Sequence, residues 1–322
     1  MTNPLDTLRH CLAEEARQPV APSAAQVVNA VRQRHGDAVS AVLFYGSCLR
    51  ATDSAPAAEA GVVDLYVLVE RYRDLYGAGL AALANAILPP NVFYVETATD
   101  AGTVRAKYAV VTLGRFRRDT SRAAFHPSLW ARFCQPVRLV YARDDSVRES
   151  VVDALAGAVV AMVGRTAPLM EDDFTAAELW QRAFRETYRT ELRVEGVDRA
   201  RQLYAWSTAR YDKLTGPALA AAGLAPVPGP AGGDAPNRIA LTAFERLRAR
   251  LAWAARRWVG KPLTVLRLIK SAFTFDGAVD YILWKIERHS GIRPRVTAWQ
   301  RRHPILASPL LVWRLYRQRA LR

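Results

Sequence analysis

The first 145 residues alternate between short apolar runs and stretches with helical spacing, and the remainder of the chain is helical in pattern. A first helical stretch covers 22–34, with Ser23 as its predicted N-cap, and a second covers 74–88. Runs with the composition of β-strands occupy 38–46, 62–70, 91–99, 106–113 and 136–144. Strands mixed with helices in this way predict an α/β or α+β domain over residues 1–145.

The second part of the chain predicts amphipathic helices. Apolar residues recur at helical spacing over 146–163, 174–193 and 197–214. These stretches predict a helical domain at 146–225, and the four prolines and three glycines of 226–237 predict a linker or mobile loop. An amphipathic helix at 240–258 and another at about 276–289 follow, within a basic amphipathic region that covers 238–322.

Composition places the chain among globular proteins, because 51% of its residues are hydrophobic and 23% are charged. Three widely spaced cysteines predict neither a disulfide framework nor a zinc site, which fits a reducing cytosol. The N-terminal sequence lacks the pattern of a signal peptide, and no stretch approaches the roughly 20 apolar residues that span a bilayer. We interpret the most apolar stretch, 155–164, as a buried helix.

The net charge of +15 is concentrated near the C-terminus. Residues 243–322 contain 18 Lys or Arg and four acidic residues, whereas residues 1–242 contain 27 and 26. A nearly neutral body with a strongly basic tail predicts an anionic partner.

Candidate chemistry begins where the first strand ends. Gly46 and Ser47 follow the apolar run 38–45 and precede a short helical stretch. A glycine allows close approach of a ligand to the backbone, and a helix N-terminus favours negative charge, so this turn is a candidate phosphate cradle. The same two residues are also common in ordinary turns, and that alternative stays open on this pattern alone.

A carboxylate in the second strand adds to this picture. Asp64 interrupts the apolar run VVDLYVLV, where an unpaired charge would be costly. It is either a salt-bridged or edge residue, or a metal ligand that faces the glycine-serine turn. Nucleotidyltransferases combine such a turn with strand carboxylates that hold Mg²⁺ on a nucleoside triphosphate. Nucleotidyltransferases usually have a second acidic residue two positions after the first, and this chain has Tyr66 there. Glu96 and Glu191 are therefore candidates for a second metal-binding carboxylate beside Asp64.

The chain resembles the mitochondrial-type phosphatidate cytidylyltransferases, which are peripheral CDP-diacylglycerol synthases of the nucleotidyltransferase superfamily. Seven stretches are similar to family motifs, in the family's order. FYGSCLR (44–50) is similar to F-x-Y-G-S-G-V, VVDLYVLV (62–69) to M-[VIL]-D-F-x-F-x-V, NVFYVE (91–96) to G-V-Y-[YF]-N, and AKYAVV (106–111) to I-K-Y-G-V-I. LWARFCQPVRLV (129–140) is similar to L-Y-x-A-G-R-x-x-K-P-V, ETYRTELRV (186–194) to a Tyr-x-Gly-Asp-x-Arg segment, and the stretch 270–291 to K-G-I-F-T-A-G…Y. The specific part of the resemblance is the order and collective span of these motifs.

The resemblance implies an α+β fold, in which a nucleotidyltransferase-type mixed sheet is followed by a helical domain. The implied reaction transfers a cytidylyl group from CTP to phosphatidate with Mg²⁺ or another divalent cation. The implied catalytic residues are Asp64, Ser47 and Lys107, and the implied nucleotide-binding residues are Gly46, Ser47, Lys107, Tyr108 and Arg132. Arg193 is the candidate for the substrate phosphate, and the candidate metal ligands are Asp64, Glu191 and Glu96. The chain departs from the family at Cys48 and Ala109, which replace glycines, at Gln135, which replaces a lysine, and at Glu191, which replaces an aspartate.

The basic tail suggests how a protein without a membrane span reaches a lipid. Five of the eight tryptophans lie in the last 80 residues, interleaved with arginine and leucine, as in helices that lie on an anionic membrane. We expect a cytoplasmic protein, peripheral on the inner face of the cell membrane, with CTP and phosphatidate as ligands and no nucleic acid. For 240–258, packing of the apolar face on the helical domain is an equal alternative. The rival functions are an RNA-binding or RNA-modifying nucleotidyltransferase and a catalytically inactive membrane-bound relative.

Overall fold

The computed structural model describes residues 3–51, 61–77, 79–99, 102–191, 197–224, 237–274 and 297. Within them the chain is α+β, with a five-stranded mixed sheet, a two-stranded ribbon and helices on both faces of the sheet. The strands of the sheet are β1 (Val39–Tyr45), β2 (Val62–Val69), β3 (Asn91–Thr99), β4 (Gly102–Thr112) and β5 (Val137–Ala142). All five strands predicted from the sequence are confirmed.

The order of strands in the sheet is β3-β4-β2-β1-β5. Strands β2 and β4 are parallel, and every other neighbouring pair is antiparallel. Strand β1 is buried almost throughout because its two faces contribute to two different cores. The apolar runs of β1 and β2 therefore reflect burial on both faces, which a half-exposed strand would not show.

The described residues form twelve helices, more than the pattern predicts, because Pro4–Ala16, Leu113–Thr120 and Trp130–Phe133 are additional and the predicted stretches 74–88 and 197–214 each contain two helices. The twelve helices are α1 (Pro4–Ala16), α2 (Pro22–His35), α3 (Ser47–Ala51), α4 (Tyr72–Tyr76), α5 (Leu80–Ile87), α6 (Leu113–Thr120), α7 (Trp130–Phe133), α8 (Asp145–Thr166), α9 (Ala176–Arg189), α10 (Val197–Ala205), α11 (Thr208–Ala221) and α12 (Ala243–Thr274). Ser23 is not the N-cap of α2, because Pro22 occupies the first helical position and places Ala21 at the cap. The predicted helix at 74–88 is two helices, which separate at Gly77 with its φ of +69°.

Two hydrophobic cores lie on opposite faces of the sheet. The smaller one contains α2 and the residues of β2 and β4 on that face. The larger one is continuous from Leu8 in α1, through Leu43 in β1 and Val159 in α8, to Trp253 in α12. The predicted boundary near 145 therefore marks a change of secondary structure within one undivided core. Most of the predicted linker 226–237, and residues 275–322 apart from 297, lie outside the described residues.

Helix α8 forms the centre of the larger core, as its composition predicts. The helical segment Asp145–Leu169 is, among the described residues, the one that is long and apolar enough to cross a membrane. In its most apolar window 67% is buried inside the protein. Our interpretation of 155–164 as a buried helix is therefore confirmed.

Helix α12 is longer than the predicted 240–258 helix and packs along one side of the molecule. Trp253 is buried against Trp130, and Arg257 forms an ion pair of 2.9 Å with the buried Glu186 of α9. Gly260 lies against the backbone of Thr190, just beyond the end of α9, so closely that no side chain fits between them. The contact of α12 with the end of α9 thus depends on a glycine.

We expect Gly260→Ala to destabilise the protein, because its methyl group would overlap the carbonyl oxygen of Thr190, which is backbone and cannot turn aside. Overpacking of this kind costs about 1–3 kcal/mol in the free energy of unfolding. Urea denaturation measures the change. The matched control is Gly114→Ala in α6, where a methyl group meets nothing within 4 Å. Equal stabilities of the two variants would contradict the expected result.

Candidate active site

The site is built around a close approach between the turn after β1 and the second strand. Tyr45, the last residue of β1, pairs with Asp64 of β2, and Gly46 then turns the chain with a φ of +93°. A Cβ atom placed on Gly46 would lie 3.0 Å from Oδ2 of Asp64. A glycine is required here for two reasons, the left-handed backbone conformation and the carboxylate beside it.

Lys107 is next to Asp64 in the sheet. The two residues are register partners on the parallel strands β2 and β4, and Lys107 Nζ lies 3.1 Å from Asp64 Oδ1. Their side chains are 34% and 21% exposed. A partly exposed ion pair contributes little to stability, so Lys107 can exchange the carboxylate for a ligand phosphate at small cost.

These residues open into a cavity of about 220 Å³ between the sheet and the helical part of the chain. Gly46, Ser47 and Asp64 form one wall, and Arg132, Thr187, Tyr188 and Glu191 lie among the residues of the helical side. The charged residues that line it are the bases Arg50, Lys107, Arg132 and Arg199 and the acids Asp64 and Glu191. The excess of positive charge in a concave site favours an anionic ligand.

Two of these bases were not among the predicted site residues. The guanidinium groups of Arg50 and Arg199 lie 4.5 Å and 4.6 Å from the centre of the Trp206 ring, so one indole holds both. Nε of Arg50 is buried and has no hydrogen-bond partner in the part of the chain that the structure describes, and burial together with the charge of Arg199 lowers the pKa of Arg50. An anion bound in the cavity would reduce the repulsion between these two neighbouring cations.

Tyr66 occupies the position of the second acid in the superfamily pattern. It lies on the same face of β2 as Asp64, is almost fully buried, and accepts a hydrogen bond of 3.0 Å from Nη1 of Arg132. Arg132 Nη1 also donates to the carbonyl oxygen of Ser128 at 3.3 Å. Burial works to lower the pKa of Arg132, but neighbouring groups, Tyr66 first among them, hold it above its ordinary value. Tyr66 thus positions a cation of the cavity.

No protein-family model matches the chain, and a search of curated proteins finds no significant match. The resemblance to the phosphatidate cytidylyltransferases therefore rests on the sequence motifs alone.

Most of the predicted site residues come together in the cavity. Gly46, Ser47, Asp64, Lys107, Arg132 and Glu191 all line it. Arg193 lies outside the described residues.

Tyr108, a predicted nucleotide-binding residue, lies outside the cavity. Successive residues of a strand point to opposite faces, so Tyr108 faces away from the cavity that Lys107 enters. Its side chain is fully buried in the smaller core, where it stacks on Phe93 and its hydroxyl group lies 2.8 Å from Nε2 of His35. Tyr108 therefore stabilises the fold on the α2 side of the sheet.

Glu96 lies on the correct face of the sheet but outside the cavity. It pairs in register with Arg105, which is two residues before Lys107 on β4 and lies on the same face of the sheet. Its carboxylate lies 3.1 Å from Arg105 Nε and accepts a hydrogen bond of 2.8 Å from Tyr94. This position favours a structural role for Glu96 over the predicted role in metal binding.

Cys48, which replaces a family glycine, does not obstruct the cavity. Its side chain is fully buried in the smaller core and does not line the site. Burial, with a smaller contribution from the Asp64 charge, raises the pKa of the Cys48 thiol to about 11. The thiol is therefore protonated at neutral pH and unsuited to act as a nucleophile.

The cavity residues fit a divalent cation that also binds ligand phosphates. Magnesium often takes one or two carboxylates and completes its coordination with substrate phosphates and water. Asp64 supplies one carboxylate beside the glycine-serine turn, and Glu191 lines the same cavity. Among the described residues, no group of three or more His, Cys, Asp or Glu side chains is placed to hold a metal by itself. The residues therefore fit a divalent cation that is bound together with a phosphate-containing ligand.

Proposed function

We propose that this protein is a nucleotidyltransferase of the mitochondrial-type phosphatidate cytidylyltransferase kind, which forms CDP-diacylglycerol and pyrophosphate from CTP and phosphatidate. The observation that carries the proposal is the contact between Gly46 and Asp64 at the mouth of a cation-rich cavity. Supporting it are the mixed sheet and the sequence motifs, which place a glycine-serine turn beside a strand carboxylate as the nucleotidyltransferase pattern requires.

In the proposed reaction, an oxygen of the phosphatidate phosphate attacks the α-phosphorus of CTP. A new P–O bond forms, the bond from the α-phosphorus to the oxygen that bridges to the β-phosphate breaks, and pyrophosphate leaves with the electron pair. The second pKa of a phosphomonoester is about 6, so the attacking phosphate is mostly dianionic at neutral pH and needs no strong general base. The protein's task is positioning and charge neutralisation.

The residues of the cavity divide this task between them. Gly46 and Ser47 hold the triphosphate at the turn, and Lys107 exchanges Asp64 for a phosphate oxygen. Asp64, with Glu191 as the second candidate, would hold Mg²⁺, which when bound withdraws charge from the triphosphate. Arg132, fixed by Tyr66, neutralises charge that develops as pyrophosphate departs.

The exposed face of α12 supports a lipid substrate. Nine large apolar side chains of this helix are exposed, although its other face packs on the protein. They are Phe244, Leu247, Leu251, Trp258, Val259, Val265, Leu266, Leu268 and Ile269. Exposed apolar residues on a basic amphipathic helix are typical of attachment to an anionic membrane surface. They favour a lipid acceptor over the alternative of RNA.

A second candidate function follows from Tyr66. A buried tyrosine at the position of the second acid leaves one carboxylate on β2, as in a nucleotidyltransferase-like protein without activity. Glu191, which lines the cavity, favours the active enzyme over the inactive relative, because it offers a second carboxylate from another part of the chain.

The deciding experiment supplies labelled CTP and Mg²⁺ with one of two acceptors, phosphatidate in anionic liposomes or RNA. We expect labelled CDP-diacylglycerol from the liposomes and no labelled RNA. Label in RNA would favour the RNA-modifying alternative. No product from either acceptor would support the inactive nucleotidyltransferase-like protein.

A further inference from the structure

A second cavity, of about 260 Å³, adjoins the first and shares part of its lining. The residues that line both are Tyr45, Lys107, Ser128, Arg132 and Glu191. The remaining walls come from the sheet, from the Pro89–Pro90 segment before β3, and from Thr264 and Arg267 of α12. Anything bound in the second cavity is therefore beside the candidate triphosphate site.

The walls of the second cavity are mainly apolar, in contrast to the first. They include Val92, Ala109, Val111 and Leu129. A cavity with apolar walls and a few charged groups at one end is suited to an amphiphile, whose polar group binds the charges and whose chain lies along the walls.

Arg267 contributes a buried guanidinium group to this cavity. Its Nε is buried without a hydrogen-bond acceptor among the described residues, and burial is the main cause that lowers its pKa. Arg132, whose charge also lowers the pKa of Arg267, is another cation of the lining and donates a hydrogen bond to the hydroxyl group of Tyr66. Guanidinium groups bind phosphates in a bidentate manner, so a cavity lined by Arg132 and Arg267 is suited to a phosphate group.

The acids of the cavity do not cancel this positive charge. Asp119 is bound by Arg115 at 2.5 Å and lies 3.5 Å from Arg118. The charge of Glu191 acts on both Arg132 and Arg267. The lining of the cavity thus contains three cations, Lys107, Arg132 and Arg267, and two acids, of which Asp119 is already paired.

Helix α12 also supplies a path from the cavity to a lipid surface. Arg267 points inward, whereas its neighbours Leu266 and Leu268 are exposed, at 53% and 59%. Lys270, one turn further on, donates hydrogen bonds of 2.5 Å and 2.6 Å to the carbonyl oxygens of Leu88 and Pro90. These bonds hold the wall segment against α12, the helix that contributes both Arg267 to the cavity and exposed apolar side chains to the surface.

We propose that the second cavity binds the acceptor, an amphiphile with a phosphomonoester head, and that Arg267 with Arg132 recognises the phosphate. Arg267 is then a specificity residue for the acceptor. This inference rests on the proposed function for the identity of the lipid, but binding can be measured without turnover.

The experiment titrates the full chain with dihexanoyl phosphatidate, a short-chain soluble probe, by calorimetry in the absence of CTP. We expect Arg267→Gln to weaken binding by about tenfold or more, since a hydrogen bond to a charged group is worth about 1.5–3 kcal/mol. Arg250→Gln is the matched control, because it removes the same charge from an exposed position of the same helix. Arg267→Lys, which keeps a charge and loses the bidentate geometry, should bind with intermediate affinity.

Further probes separate lipid from soluble phosphate. Glycerol 3-phosphate should bind more weakly than dihexanoyl phosphatidate, and dihexanoyl glycerol should not bind measurably. Equal binding of glycerol 3-phosphate would overturn the amphiphile assignment, and equal loss in Arg250→Gln and Arg267→Gln would overturn the role of Arg267. If Arg267-dependent binding persists while no CDP-diacylglycerol forms, the proposed function fails and the lipid-phosphate site stands.

Discussion

Asp64→Asn should reduce formation of CDP-diacylglycerol by about 10²- to 10³-fold, the usual loss when one charge-stabilising group is removed from an active site. The substitution preserves the shape of the side chain, and so the contact with Gly46, but removes the charge that pairs with Lys107. The ion pair is partly exposed, so we expect the stability to change by less than about 1 kcal/mol. Initial rates with labelled CTP, together with a urea denaturation curve for the same preparation, measure both effects.

The chain supplies a matched control for this variant. Glu96→Gln makes the same change of carboxylate to amide on the same face of the sheet, where Glu96 is bound by Arg105 and Tyr94 outside the cavity. It should retain nearly full activity. Comparable losses in the two variants would return Glu96 to the metal site and weaken the assignment of Asp64.

Gly46→Ala should reduce activity and stability together. The backbone conformation at φ +93° is unfavourable for alanine by about 1–2 kcal/mol, which lowers the free energy of unfolding. The new methyl group would also lie 3.0 Å from Oδ2 of Asp64 and displace the carboxylate from the turn. We expect an activity loss of about tenfold or more beyond any loss of folded protein, because a small misplacement of a catalytic group is costly.

Gly36→Ala separates the two effects. Gly36 also has a positive φ, of +57°, but a methyl group there meets nothing within 4 Å. It should lose stability to a similar extent and keep its specific activity, as measured by rate assays on the folded fraction. Equal specific activities of Gly36→Ala and Gly46→Ala would show that the approach of Asp64 to the turn has no catalytic role.

The site residues that the sequence predicts best lie on β-strands or directly after them. The strand run that ends at Tyr45 and the one that carries Asp64 are apolar enough to be recognised, and both lead to residues that meet in the sheet. The two-residue period of a strand places Lys107 and Tyr108 on opposite faces of the sheet, so the sequence pattern allows only one of them to face the cavity. The position of Glu96 outside the cavity depends on the pairing register of β3 and β4, which the sequence pattern alone does not determine.

The cations from helices could not be predicted in the same way. Arg50, Arg199 and Arg267 are spaced like any solvated arginine, and they reach the cavities because of how α3, α10 and α12 pack. For Arg267 that packing depends on the close contact of Gly260 with Thr190, a contact between residues 70 positions apart. Their sequence signal was the overall excess of arginine, which indicated an anionic partner without placing it.

Because the larger core is undivided, ligand binding in either cavity is expected to change the melting temperature of the protein. Because α1, the sheet and α12 share one buried cluster, the walls of both cavities are expected to be lost when that cluster unfolds. A ligand that binds the folded chain alone stabilises it by about 2.7 kcal/mol when present at 100 times its dissociation constant. Nucleotides and lipid phosphates can therefore be ranked by how far each raises the melting temperature at a fixed concentration, before any turnover is detected.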